Sequence, residues 1–387
     1  ATQMPRMDLH STFPGVDDLK ARARRRMPKF VWEYLDSGTG AEVTKARNRA
    51  ALDLVGFAPS ILHGTQDTST ACSFLGQDYP LPVGIAPVGM SGLIWPDAES
   101  TLARAAATAG IPYCLSTVAS QSPEDLAPHL GKNAWFQLYP PKDEGIRRDM
   151  LARARDAGFT GLILTVDVPV ASRRERQTRS GLTSPPVMTP RLLAQTAARP
   201  AWALGMARRG IPHMRMLDKY ISGDRAHLPP TAHVGYLLRT SPDAEYVKWL
   251  RDHWDGALLI KGVMRPDDCA TLEQLGADAI WVSNHAGRQF DGAAATIEVL
   301  PAIREATRLP LIFDGGIESG LDILRPLALG ADFVMLGRAF HFALAALGAA
   351  GPAHLIDMLQ RDMVANMGQL GAPVLTDLPK PFHHTPL

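Results

Sequence analysis

Eight short apolar runs constrain this chain more than any other feature of its 387 residues. They fall at 83–87, 112–115, 134–138, 161–165, 257–260, 279–282, 310–313 and 332–336. Their apolar character is nearly continuous rather than alternating, which is the pattern of strands covered on both faces. Helix-like segments lie between most of them, at 97–109, 143–157, 266–275, 296–308 and 320–329. Strand, helix, strand repeated eight times predicts an α/β chain folded as a (β/α)₈ TIM barrel. The expected organisation is a helical N-terminal arm over 1–80, the barrel over 81–375 with helices such as 352–367 near its end, and a tail over 376–387.

One interval breaks the rhythm. About ninety residues separate the fourth run from the fifth, far more than a usual connection in such a fold. A long insert, residues 171–242, is therefore expected after strand four. Within 171–230 stand 11 Arg or Lys against 3 Asp or Glu, although the whole chain carries a formal charge of only +1. The same segment holds Leu192, Leu193, Trp202, Leu204, Met206, Met214 and Met216. A loop of this length and composition is either a lid over a site or a contact element for a partner. An arginine-rich apolar helix there suits a bilayer interface, with Trp202 at headgroup depth.

Composition excludes several classes. The near-neutral balance gives no reason to expect nucleic acid as a partner. Cys72, Cys114 and Cys269 are too few and too scattered for a disulfide framework or a metal cluster, so no metal is expected and a reducing compartment fits. No apolar run approaches the ~18 residues of a membrane span. The first residues lack the apolar core of a secretory signal.

In barrels of this kind the chemistry sits where the strands end. The expected exits carry Pro87, Val88 and Gly89, then Ser116, Gln137 with Tyr139, Thr165 with Asp167, Lys261, Ser283 with His285 and Arg288, Asp314 with Gly316, and Gly337 with Arg338. One polar exit means little, but a ring of them is hard to explain by packing. The turns after strands seven and eight are the usual phosphate site, where bare glycines expose N–H groups and Arg338 adds charge. Lys261 is a Schiff-base former, a point charge for an anionic cofactor, or a solvated strand end. Gln137 and Thr165 offer donors and acceptors to a flat heterocycle. Together with the phosphate turns they suggest FMN, whose ring needs that edge pattern and a positive charge nearby. A lone histidine is more often structural than catalytic, but Asp167 lies where it can orient His285. Arg174 and Arg288 suit a clamp for a small carboxylate, whereas Arg173 reads as solvated rim.

Read together, the stretches PKFVWEYLDSG, GIAPVGMSG, LSTVAS, WFQLY, LTVDVP with SRRE, IKGV, SNHAGRQFDG, FDGGIESGLDILRPLALGA and VMLGRAF resemble the FMN-dependent L-2-hydroxy acid oxidases and dehydrogenases, over about residues 8–375. The resemblance implies oxidation of an L-2-hydroxy acid to the 2-keto acid. It also implies roles. Tyr34 closes over the substrate carboxylate, Tyr139 stands near the reacting carbon, and Arg174 with Arg288 binds the carboxylate. His285 is the base and Asp167 its partner. Ser116, Gln137, Thr165, Ser283 and Lys261 serve the flavin edge, Pro87, Val88 and Gly89 lie under the ring, and Asp314, Gly316, Gly337 and Arg338 hold the ribityl and phosphate end. A homotetramer, passing electrons to a quinone or other carrier, is expected on the same ground. So is a cytoplasmic location, peripheral on the cytoplasmic face of the inner membrane through 171–230. The competing readings are an oxygen-reducing oxidase, an FMN-dependent isomerase and a catalytically silent scaffold. Four departures stand out. Ala286 follows His285 where many members have glycine, and Glu318 stands where many have arginine. Val118 and Ala171 are smaller than in glycolate-type members, which predicts a roomier pocket and a substrate larger than glycolate. Gly89 is alanine in several oxidases.

Overall fold

A computed structural model describes residues 8–182, 188–221, 237, 238 and 240–383; the rest of the expected insert and of both termini lies outside them. The barrel strands are β1 Val83–Ile85, β2 Tyr113–Ser116, β3 Ala134–Leu138, β4 Gly161–Thr165, β5 Ala257–Val263, β6 Ala279–Val282, β7 Leu311–Phe313 and β8 Phe333–Leu336. All eight expected runs are strands. They pair in parallel and close into a barrel, with β8 beside β1. Their continuous apolarity has two recipients. Trp135, Ile163, Leu259, Trp281, Ile312 and Phe333 cluster together as one core. Leu162, Leu164, Leu258 and Ile260 alternate with them and join the larger core with the helices. Two of the helices start on side-chain caps: Asp143 accepts from the Ile146 amide at 2.8 Å and Ser319 from the Asp322 amide at 3.1 Å.

The N-terminal arm is only partly helical. Helices α1 Val16–Arg26, α2 Lys29–Asp36 and α3 Val43–Asp53 give way to extended chain and a small hairpin, Cys72–Phe74 with Gln77–Tyr79. That hairpin closes one end of the barrel. Phe74 and Tyr79 place their rings 4.9 and 5.1 Å from Phe333. At the other end of the chain, Gly56 and Phe382 pair in a two-stranded ladder that ties the tail to the arm.

The insert corrects one expectation. Its helices are α4 Pro190–Ala197 and α5 Pro200–Arg209. Trp202 on α5 does not face outward to a headgroup layer. It is 6% exposed, donates its indole N–H to the Leu93 carbonyl at 3.0 Å and meets Phe30 edge-on at 5.7 Å. Leu192, Met216 and Leu217 are buried with it. The Phe30 amide donates to Gln195 Oε1 at 2.9 Å, so the insert is fastened over α2. The indole N–H explains the burial, because a nearby carbonyl satisfies it and the ring then contributes its full apolar area. Met188, Leu193, Leu204 and Ile211 remain more than half exposed. Among the described residues, no helix is long and apolar enough to cross a membrane.

Candidate active site

Register brings the polar exits side by side. Ser116 is opposite Gln137 across β2 and β3, and Thr165 is opposite Lys261 across β4 and β5. Ser116 Oγ donates to Gln137 Oε1 at 2.9 Å, and Gln137 Nε2 donates to Thr165 Oγ1 at 2.8 Å. Lys261 Nζ donates to Ser283 Oγ at 3.2 Å and lies 3.9 Å from Asp314 Oδ2. These partners offset part of the desolvation cost of burying the side chain.

One cavity collects most of the expected residues. Tyr34, Pro87, Val88, Gly89, Gln137, Tyr139, Thr165, Arg174, Lys261, His285, Arg288, Asp314, Gly316, Gly337 and Arg338 all line it. Ser116, Asp167 and Ser283 are not part of the lining; they stand one layer back, bonded to residues that are. Ala171 is exposed and also absent from the lining, so it does not enlarge the pocket. Val118 does line it.

His285 Nδ1 lies 2.9 Å from Asp167 Oδ1, which leaves Nε2 as the ring nitrogen available for proton transfer. Burial pushes the His285 pKa below its ordinary value, and Asp167 opposes that shift while Lys261 reinforces it. Burial also opposes charge on Asp167, but His285 and Lys261 outweigh it and hold the carboxyl below the usual range. The pair sits against Gly262, whose φ is +111°; a Cβ there would lie 2.6 Å from Asp167 Cβ. Only glycine fits that close approach at that dihedral.

The arginines are anchored through part of each guanidinium. Arg288 donates from Nη1 to the carbonyls of Tyr34, Leu35 and Ser37 at 3.0, 3.3 and 2.7 Å. Among the described residues its Nε and Nη2 have no hydrogen-bond partner. Arg338 donates to Leu35, Ser37 and Ala286 carbonyls from Nε and Nη2. The Tyr34 hydroxyl donates to the Gly89 carbonyl at 2.8 Å. Burial, then Arg174 and Arg338, press the Arg288 pKa well below its ordinary value. Cations held together in this way are relieved by an incoming anion.

The comparisons with known proteins agree with this geometry. The model of the FMN-dependent dehydrogenase family matches residues 23–384. The chain belongs to that family. It is 40% identical to an L-lactate dehydrogenase of Caulobacter sp. (strain K31), over 94% of this chain and 96% of the relative. It is 38% identical to an L-lactate dehydrogenase of Pseudomonas aeruginosa (strain LESB58), over 93% and 95%. A solved monotopic membrane protein, (S)-mandelate dehydrogenase, superposes with a TM-score of 0.90 at 34% identity, covering 96% of this chain and 99% of that one. This member of the family is an FMN-dependent L-2-hydroxy acid dehydrogenase.

The residues present fit FMN. Asp314 Oδ1 is buried without a protein partner, as suits a carboxylate facing ribityl hydroxyls. Arg338 opens the helix α6 Arg338–Leu347, so charge and N-terminal amides converge where a phosphate needs them. Glu318 also lines the cavity, and its carboxylate pairs with Lys20 at 3.5 Å.

The left-handed backbone of two residues and one side-chain pair escaped motif reading. Ala286 adopts φ 54° and His285 φ 56°, both left-handed, so this loop carries non-glycines where glycine costs least. Asn48 on α3 and Asn284 exchange amide hydrogen bonds of 2.9 and 2.7 Å, locking the arm to this loop. Residues 236 positions apart give no local signal for such a pair.

Proposed function

We propose that the enzyme oxidises an L-2-hydroxy acid of lactate size or larger and passes the electrons to a quinone or other carrier. FMN, when bound, supplies the two-electron acceptor chemistry. Arg174, Arg288 and Tyr34 hold the carboxylate, using the guanidinium N–H groups that the protein leaves unbonded. His285 Nε2 takes the proton that leaves the substrate, and Asp167 stabilises the resulting imidazolium. Tyr139, whose phenol burial keeps protonated, donates toward the reacting centre. Gln137, Thr165 and Lys261 hold the flavin edge, with Ser116 and Ser283 fixing them from behind. Gly316, Gly337 and Arg338 take the phosphate. The single observation that carries the reading is the His285–Asp167 pair sharing one cavity with Arg174, Arg288 and Tyr34. Val118, a small side chain in the lining, supports a substrate larger than glycolate. Anaerobic bleaching of the flavin by glycolate, L-lactate, L-mandelate and longer acids tests this; a preference for glycolate over all the others would overturn the size assignment.

The carrier rather than oxygen is favoured by the insert. Met188, Leu193, Leu204 and Ile211 are exposed beside Arg191, Arg208 and Arg209, an apolar and cationic face suited to anionic lipid. A relative of the same fold, (S)-mandelate dehydrogenase, is a monotopic membrane protein. On this reading the enzyme sits peripherally on the cytoplasmic face of the inner membrane, and the family resemblance adds the proposal of a homotetramer. Cosedimentation with anionic liposomes at low and high salt, for the intact protein and one with 188–215 replaced by a short linker, tests the contact. The shortened protein must still reduce its flavin. Equal sedimentation of both would assign the segment to a lid alone. Peroxide formation matching substrate consumption in air would instead mark an oxidase, and a mass measurement in solution reads the assembly.

A further inference from the structure

The carboxylate clamp is built from two segments that meet only in the folded chain. Tyr34 comes from α2 and Arg174 from the loop after β4. That loop has little of its own to hold it. Val170 is 67% exposed and the Arg173 side chain 88% exposed. What fixes it lies two residues beyond Arg174. The Arg176 guanidinium reaches Asp36 Oδ2 at 2.6 Å, Glu33 Oε2 at 3.0 Å and Glu42 Oε2 at 3.4 Å. Glu33 and Asp36 bracket Tyr34 in sequence, and both are buried. Lys45 Nζ, 3.0 Å from Asp36, balances the second carboxylate from the arm's own side. Backbone contacts run alongside. The Thr39 hydroxyl donates to the Arg173 carbonyl, and the Gly40 amide donates to Glu175 Oε2 at 2.9 Å.

We infer that Arg176 is a positioning residue: its ion pairs with Asp36 and Glu33 set the spacing between Tyr34 and Arg174, and so the affinity for the substrate carboxylate. Arg176 does not line the cavity and touches no reacting atom. A guanidinium suits this task because Nη2 donates to Asp36 while Nε lies beside Glu33 as an ion pair without a hydrogen bond, a spread of charge that a single ammonium matches less well. The ion pairs are half-buried, so they are not lost to solvent in the way exposed pairs are. Clamp placement matters because two cationic or phenolic groups set at the wrong spacing bind a carboxylate less tightly. This inference rests on the assignment of Tyr34 and Arg174 to the carboxylate.

The test uses the FMN-loaded enzyme and 2-hydroxy-2-methylpropanoate, which carries the carboxylate and hydroxyl but no hydrogen on C2. Its binding is read from the change in flavin absorbance, without turnover. Arg176→Gln is expected to weaken binding about tenfold, within the range for residues coupled through a shared network. The limiting rate of flavin reduction by L-lactate should change by less than about threefold, because the base and flavin contacts are untouched. In an Arg174→Lys background the same substitution should add little, since the clamp it positions is already impaired. Arg176→Lys should recover part of the affinity, and it covers the case in which glutamine at 176 prevents FMN loading. Unchanged probe binding in Arg176→Gln, with Arg174→Lys weakened, would overturn the positioning role alone. A full additive loss in the double variant would do the same. Unchanged binding in both Arg174→Lys and Tyr34→Phe would remove the clamp assignment itself, and the positioning role with it.

Discussion

The two ends of the cavity are made differently. At the proposed flavin edge, Ser116, Gln137, Thr165 and Lys261 stand on neighbouring strands, and the barrel's own register sets them against one another. At the proposed substrate end, Tyr34, Arg174 and Arg288 come from the arm, the insert and the β6 loop, and Arg288 binds backbone carbonyls more than 250 positions away. The first end is held by sheet hydrogen bonds that the fold cannot lose. The second is held by ion pairs and side-chain contacts that can change one at a time. Cofactor binding should therefore be robust, and substrate affinity adjustable, within one cavity.

The sharpest break in this comparison should come where the two ends meet. His285→Gln is expected to keep FMN bound, as read from the flavin spectrum, while slowing anaerobic flavin reduction at least ~100-fold, the lower end for losing a general base. In the unaltered enzyme, the acid limb of that reduction rate should lie below pH 6.5, because burial lowers the His285 pKa and the free base persists into acid. An acid limb above pH 7 would contradict that direction.

Next in size is the ion-pair cluster of the substrate end. Burial disfavours the Asp36 carboxylate, but Lys45 and Arg176 outweigh it and bring its pKa from 3.8 to about 2. Its folded pKa is depressed, so its contribution of about 2 kcal/mol is present above pH 3.8 and disappears as the pH falls through 2. Denaturant unfolding of Asp36→Asn against the parent should show that gap near neutrality and its closure in acid. A gap that widens in acid would reverse the assignment.

Arg288→Lys keeps the charge but loses the planar fork. Substrate affinity should fall by roughly tenfold and reduction should slow with it, since the carboxylate sets the reacting geometry. Flavin binding should hold. Unchanged saturation by L-lactate would detach Arg288 from the carboxylate. The smallest effect is expected at Ala286, whose φ of 54° is strained for a residue with a side chain. Ala286→Gly should raise the stability to denaturant by up to about 1 kcal/mol, with the flavin edge unaltered.

Much of this molecule was legible along the chain. The eight strands were readable because strands buried on both faces leave unbroken apolar runs, and the polar exits followed once the barrel was recognised. The hairpin of Cys72–Phe74 and Gln77–Tyr79 was not, since three-residue strands leave no periodicity to detect. Ala171 looked like a pocket residue by comparison with glycolate-type members, yet it is exposed. Trp202 looked interfacial among arginines, yet the Leu93 carbonyl gives its N–H a buried partner. Neither outcome is written in local composition, because each depends on what packs against the residue.

The sequence by itself determined which side chains stand at the strand ends, because a strand's exit is a local fact of pattern and turn chemistry. Only the tertiary structure decided the distances between segments that share no local signal. Asn48 meets Asn284, Arg176 meets Glu33 and Asp36, and Arg288 meets the carbonyls ending α2. Those meetings arise from closing a barrel and folding an arm and an insert across its mouth. Charge and hydrogen bonding then act through space over a few ångströms, whatever the separation along the chain.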